Sequence, residues 1–305
     1  MSEQTPSGKP PSRFWLFLPY GAVAAGVLAW SLVWILASHR IGDRLNARAG
    51  QLRAEGYRIE TGKLQVDGFP FRLRVKSEGV KIVSPSGWAI RAPKLEGQAY
   101  LYGLDHWVLG AEQGFTLTRP VGGDVQVRGQ SLRASLSAIG APVWRMAFEG
   151  VGLTLTPTPG AAPFSLASAD RLEIYTRPGM ADLASAEGLI RLEGGRAAPN
   201  TVLHEKIGKH GLTGAMALRL TRFDRYGGKG WSQAGRNWAA AGGQLQIDPT
   251  APPARDLQLS FGAARLSFGL DGRPQGKIVY AFSPANGPKG VEQGWEFGAN
   301  SPRLF

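Results

Sequence analysis

Cysteine is absent from the chain. Disulfides, thiolate metal sites and a cysteine nucleophile are thereby excluded, and so is a lipid-modified amino terminus after cleavage. Histidine is scarce: His204 and His210 are six apart, which matches neither the helical spacing of a zinc pair nor HExxH, and His39 and His106 stand alone. All four read as surface residues, and no metal is expected. Acidic residues number 23 against 35 basic ones, giving a net charge of +12 and a pI near 10.2. That excess attracts anionic partners, of which a lipid surface is one and nucleic acid another. Complete chemical motifs are missing as well. Gly230-Trp231-Ser232-Gln233-Ala234 lacks the second glycine of a nucleophile elbow, and Gly227-Gly228-Lys229-Gly230 lacks the spacing and hydroxyl of a phosphate loop. Carboxylates such as Asp67, Glu78, Glu96, Glu149 and Glu173 are scattered singly, so no catalytic residue, cofactor or enzyme activity is expected, although acid and base partners can converge from distant positions.

Long apolar runs are lacking except for one, Phe14 to Ala37, which carries no charged side chain. As a helix it measures about 36 Å, enough to cross a bilayer core of about 30 Å. Trp15 and Tyr20 lie toward one end and Trp30 and Trp34 toward the other, where amphipathic rings settle at the two headgroup layers. A signal peptide cleaved near Ala37 is the alternative, but its apolar region is shorter and has no aromatic belt at the far end. A retained anchor over 14–37 is the reading, preceded by a disordered tail over 1–13 rich in Pro, Ser and Thr. Residues 38–56, with Ile41, Leu45 and Leu52 against Arg40, Arg44, Arg48 and Arg53, form an amphipathic helix that ends at Gly56. Those arginines follow the anchor, so a literal count of positive charge would put the large domain inside the cell; long domains cross regardless of such charge.

From Tyr57 the period changes to two. Leu64 and Val66 alternate with polar neighbours, Gly68-Phe69-Pro70 interrupts, and Phe71, Leu73 and Val75 resume opposite Arg72, Arg74 and Lys76. The shift from even to odd positions predicts a bulge or sharp bend, a turning point in a sheet. Short alternating runs separated by Gly, Pro and Ser turns continue to about residue 283, interrupted by short helices within 199–211, capped by Asn200, and 232–241. Asp271-Gly272 marks a hairpin. The fold class is therefore mainly β: an N-terminal transmembrane helix, then over 57–283 a large, curled, meandering antiparallel sheet with a few short helices. An irregular tail is expected over 284–305.

These residues resemble a known family. The Trp-rich anchor, Gly68-Phe69-Pro70-Phe71-Arg72, Trp88, Tyr100, Trp107, Trp238-Ala239-Ala240-Ala241-Gly242-Gly243, Leu257, Leu259 and the Asp271-Gly272 turn are similar to the membrane-anchored domain of unknown function 2125. The resemblance implies a Gram-negative inner-membrane anchor with the domain in the periplasm, and it supplies no catalytic residue.

A curled sheet with one apolar side and few helices must fold over itself or leave a groove. In the groove reading, similar in outline to AsmA-like lipid-transfer assemblies, Phe71, Leu73, Val75, Leu153, Leu155, Leu257 and Leu259 line the interior, and Arg72, Arg74 and Lys76 meet anionic headgroups. The ligand is then a lipid or another amphipathic envelope molecule, and the partners are membrane lipids, without nucleic acid. A sheet with a dry core and a solvated face is the plainer alternative. The rival function is a non-enzymatic scaffold that binds another envelope protein.

Overall fold

A computed structural model describes residues 14–138, 141, 143–228, 230–249, 256–268, 274–284, 287, 290, 292–297 and 303–304. The segment 1–13 and the Asp271-Gly272 turn lie outside them. Helix α1 (Phe14–Ala54) carries the uncharged run and the amphipathic stretch after it as one continuous element. Nothing between Ala37 and Ile41 breaks it: Ser38, His39 and Arg40 all tolerate helix, and its stop comes at Gly56, whose φ is +93°. Its portion from Leu18 is long and apolar enough to cross a membrane.

The rest is a single antiparallel meander with one parallel pairing. β1 (Arg58–Glu60) and β2 (Leu64–Asp67) lie end to end along β3 (Arg72–Val83), which pairs with β4 (Ala89–Tyr100). β5 (Gly103–Gly110) and β6 (Phe115–Arg119) are two halves of the next strand, and β8 (Ser131–Ser137) and β7 (Gly123–Arg128) two halves of the one after. Unbroken strands follow: β9 (Arg145–Pro157), β10 (Leu166–Pro178), β11 (Ala186–Ala197) and β12 (Leu212–Leu220). Along β12 lie β13 (Gln244–Asp248) and, in parallel, β14 (Leu257–Phe261). β15 (Ala264–Phe268), β16 (Pro274–Pro284), β17 (Glu292–Phe297) and β18 (Arg303–Leu304) complete the sheet. The segment expected to be irregular over 284–305 thus contains two strands. Its prolines and glycines stop β16, and the alternation of Gln293, Trp295 and Phe297 then restarts pairing against Gly276 to Tyr280.

Two short α-helices and a 3-10 turn (Phe223–Arg225) punctuate the meander among the described residues. In α2 (Val202–Ile207) the cap is Thr201, whose hydroxyl accepts from the His204 N–H at 3.3 Å, whereas Asn200, the expected cap, sits at φ +61°. α3 (Gly230–Ala240) buries Ala234 and Trp238, the indole donating to the Thr221 carbonyl at 2.6 Å.

A crease crosses the sheet at one level. Gly79 in β3, the gap between β5 and β6, the gap between β7 and β8, Gly152 in β9 and Gly194 in β11 are brought side by side by the register. Gly152 has φ +58°, in the left-handed region that glycine enters without a Cβ penalty. Passing through it reverses which side chains face inward, from Phe148 before the crease to Leu153 and Leu155 after it. Beyond the crease, Val127, Leu132, Leu153 and Ala169 form a closed core against Phe115, Leu117 and Leu155. Before it, Leu73, Val75 and Ile41 of α1 form a second core with Trp34, Leu64, Leu104 and Trp107.

Candidate functional site

The site begins at the hairpin that joins β2 to β3. Gly68 has φ +107°, and a Cβ there would stand 2.8 Å from the Arg72 carbonyl, so only glycine fits. The Phe69–Pro70 peptide is cis, and the Arg72 N–H donates to the Gly68 carbonyl at 3.0 Å. The even-to-odd shift in the sequence is therefore the reversal of a tight hairpin, with Val66 paired to Val75, rather than a bulge within one strand. Its tip is clamped to α1: the Trp30 indole donates to the Pro70 carbonyl at 2.7 Å and the Trp34 indole to the Arg72 carbonyl at 2.9 Å. Phe71 packs on Trp30 at 6.1 Å between centroids, and Phe69 meets Trp34 edge-on at 5.8 Å. Both phenylalanines stay more than half exposed, at 52% and 59%. Arg72 lies 5.1 Å over the Tyr100 ring and donates to its hydroxyl at 3.2 Å, and Tyr100 stacks on Tyr102.

Above this joint α1 borders two apolar recesses. One of about 260 Å³ lies where the helix leaves its uncharged run, between Leu36, Ile41 and Leu104, with Arg40 and Arg44 on its rim. The other, about 210 Å³, lies farther along, between Leu45 and Ala49 of the helix and Leu95, Trp107 and Leu109 of the sheet. Ile41, Leu104 and Trp107 belong to one packed cluster, so the two recesses are neighbours along the helix.

The second recess opens toward a long apolar face. Register aligns Val75, Gly97, Leu109, Ala134, Phe148, Ile174, Ile190 and Met216 in one row across β3 to β12. Val75 and Gly97 are buried beneath α1, but every member from Leu109 onward is only half-buried. A row of apolar side chains left partly accessible is what a sheet shows where no helix covers it, Phe148 being the member that also packs against the core beyond the crease.

The opposite face is charged. Arg171 bonds Glu149 and lies 3.5 Å from Glu173, which Arg191 approaches at 3.9 Å; Arg177 and Arg219 lie 2.9 and 3.4 Å from Glu187. These cross-strand pairs fix register more than they stabilise, at about 0–1 kcal/mol each. A shallow recess of about 790 Å³ interrupts this face, with Ala147, Tyr175, Leu189 and Ala217 on its floor and Arg145 and Arg177 beside them. Burial acts to raise the Glu187 carboxyl, but Arg177, the Met180 amide and Arg219 outweigh it and hold the group below the usual range. Burial, reinforced by Glu173, pushes the Tyr175 phenol up, so it stays neutral at pH 7.

The residues singled out in the sequence divide between these places. Leu73 and Val75 lie in the core under α1, Val75 also bordering the second recess, and Leu153 and Leu155 lie in the core beyond the crease, where packing fills the space around them. Leu257 and Leu259 sit half-buried on β14, and Phe71 is at the hairpin tip instead of inside. The three cations diverge as well: Arg74 is held by Glu96 at 3.1 Å and Lys76 by Asp67 at 2.9 Å, which leaves Arg72 facing the aromatic tip. Tyr20 is exposed on the helix, and the side chain of Trp15 lies outside the described residues. Sequence reasoning missed Phe148, Ile174, Ile190 and Met216, whose strands it had found. Only pairing register makes them one row. No group of three or more His, Asp or Glu able to hold a metal occurs among the described residues. Among the described residues the one His–carboxylate contact, His210 with Asp256 at 3.2 Å, is an exposed loop clasp, tightened by the Gly211 N–H donating to the same carboxylate at 2.6 Å.

A family model described as "uncharacterized protein conserved in bacteria", domain of unknown function 2125, matches residues 34–283. Comparison with curated proteins and with solved structures finds no match.

Proposed function

The chain belongs to that family of bacterial proteins, and on this footing we propose that it is anchored in the inner membrane by α1 and holds a lipid, or another amphipathic envelope molecule, against the apolar face of its periplasmic sheet. One observation carries the reading: the half-buried row from Leu109 to Met216, which starts at the recess beside α1. A lipid tail laid along that row would replace water on side chains that no helix shields, at about 25 cal/mol for each Å² covered. Arg40 and Arg44 stand where a headgroup would remain as a tail leaves the bilayer. The activity is binding or hand-over rather than catalysis, which fits a face built of aliphatic side chains. No cofactor takes part.

A photo-crosslinking residue placed at Ile190 in the full chain, irradiated in native membranes, tests this. A lipid adduct at Ile190 that is missing when the same residue replaces Arg191 on the charged face is the expected result. A protein adduct at Ile190 would replace the lipid reading with that of an envelope scaffold, and no adduct at either position would overturn both.

A further inference from the structure

We propose that the domain stands in the lipid on its turns: the ends of β3 to β11 on the side of Trp30 are seated in the leaflet that α1 leaves. This rests on the reading of α1 as a membrane anchor and adds a second, independent contact with the bilayer.

Depth is the first argument. The uncharged run ends at Ala37, and the helical rise from Trp30 to Ala37 is roughly 10 Å. Because Trp30 holds the Pro70 carbonyl and packs on Phe71, the hairpin tip is carried down to that level. Phe69 and Phe71 then lie among acyl chains and headgroups, which explains two large rings left exposed.

Register is the second argument. The Leu101 N–H donates to the Phe71 carbonyl at 3.0 Å, and Arg72 pairs with Tyr100, so the β4–β5 turn shares the hairpin's level. Ser137 pairs with Arg145 and Pro178 with Ala186, which puts the β8–β9 and β10–β11 turns at the same end of the sheet. Each turn presents an exposed apolar side chain: Tyr102 at 77%, then Trp144, then Met180 at 79% and Leu183 at 76%. Arg72, Arg145 and Arg177 stand one step behind the tips, the height of lipid phosphates. Arg145 has no carboxylate partner among the described residues. Asp182 in the last turn accepts the Ala184 N–H at 3.0 Å, which satisfies part of its carboxylate locally.

The lack of native cysteine allows a clean test with single spin labels on the full chain in nanodiscs of phosphatidylethanolamine and phosphatidylglycerol. Val27→Cys reports on the helix, Tyr102→Cys and Leu183→Cys on the turns, and Val121→Cys on the opposite end of the sheet. All four side chains are more than half exposed on the protein surface, so the labels leave the cores intact, and the one ring contact given up is the stacking of Tyr102 on Tyr100. Labels at Tyr102 and Leu183 are expected to collide with oxygen in preference to a water-soluble nickel chelate, as at Val27, with the ratio several-fold above that at Val121. If both read like Val121 while Val27 reads as deep, the proposal is overturned and the anchor stands. If Val27 itself reads as aqueous, the anchor fails and the proposal with it. Neither result depends on whether a lipid occupies the apolar face.

Discussion

Leu73 and Phe71 are two positions apart, yet the chain uses them in opposite ways. Leu73 is fully buried against Ile41, whereas Phe71 projects beside Trp30. Leu73→Ala is expected to lower stability by about 2–5 kcal/mol through lost burial and a residual cavity. Phe71→Ala, measured by denaturant unfolding in detergent, is expected to cost less than about 1 kcal/mol, as other exposed substitutions do. Equal losses would show that the tip is packed in solution. Glu187 gives a pH prediction. Its carboxyl is held below the ordinary value of 4.5, so the folded state binds its proton less readily than the unfolded one. Its contribution is present at neutral pH and is lost as pH falls below that value. Unfolding followed from pH 7 to pH 3 should therefore show Glu187→Gln to be the less stable protein at neutral pH, with the gap closing in acid. A gap independent of pH would mean that Arg177 and Arg219 do not depress this group.

At the scale of elements, α1 and the β2–β3 hairpin form one unit through two indole donors. Replacing Trp30 and Trp34 together by Phe keeps the rings and removes both bonds, each worth about 0.5–1.5 kcal/mol. Amide exchange over residues 64–77 is expected to quicken, with β9 to β11 unchanged; a uniform rise would point to general unfolding instead. The elements themselves were largely legible. Alternation in Leu189–Leu192 or Trp144–Phe148 declares a strand, and Gly56 declares the end of a helix, because both signals are local in the chain. The crease was not legible. Gly79, Gly152 and Gly194 each look like an ordinary strand glycine, and their alignment exists only once register is set by neighbours far away in sequence. For the same reason the interior residues inferred from Leu153 and Leu155 belong to a filled core, since the inward side changes at Gly152. The tail beyond Pro284 departs from its expected irregularity because its turn residues interrupt the sheet without ending it, and β17 resumes after them.

At the scale of the whole molecule, the proposed periplasmic location is tested from outside the cell. A membrane-impermeant maleimide added to intact spheroplasts should label Val121→Cys as fully as it does after lysis; labelling only after lysis would place the sheet in the cytoplasm and return nucleic acid to consideration. The apolar side is neither the open trough nor the dry core that the strand count alone allowed. One part is closed by its own side chains beyond the crease, one part lies under α1, and the stretch from Leu109 to Met216 is left half-covered. The unbroken course of α1 has a mechanical result of its own. From Pro19 to Ala54 the helix runs on without a break, and it is bolted to the sheet at Pro70 and Arg72. As the membrane anchor proposed above, such a mast would transmit torque: whatever lean it adopts to match a thicker or thinner membrane is imposed on the sheet as a rigid rotation. On that proposal bilayer thickness would set the lean of the domain, and its far end would sweep an arc instead of wandering on a flexible leash.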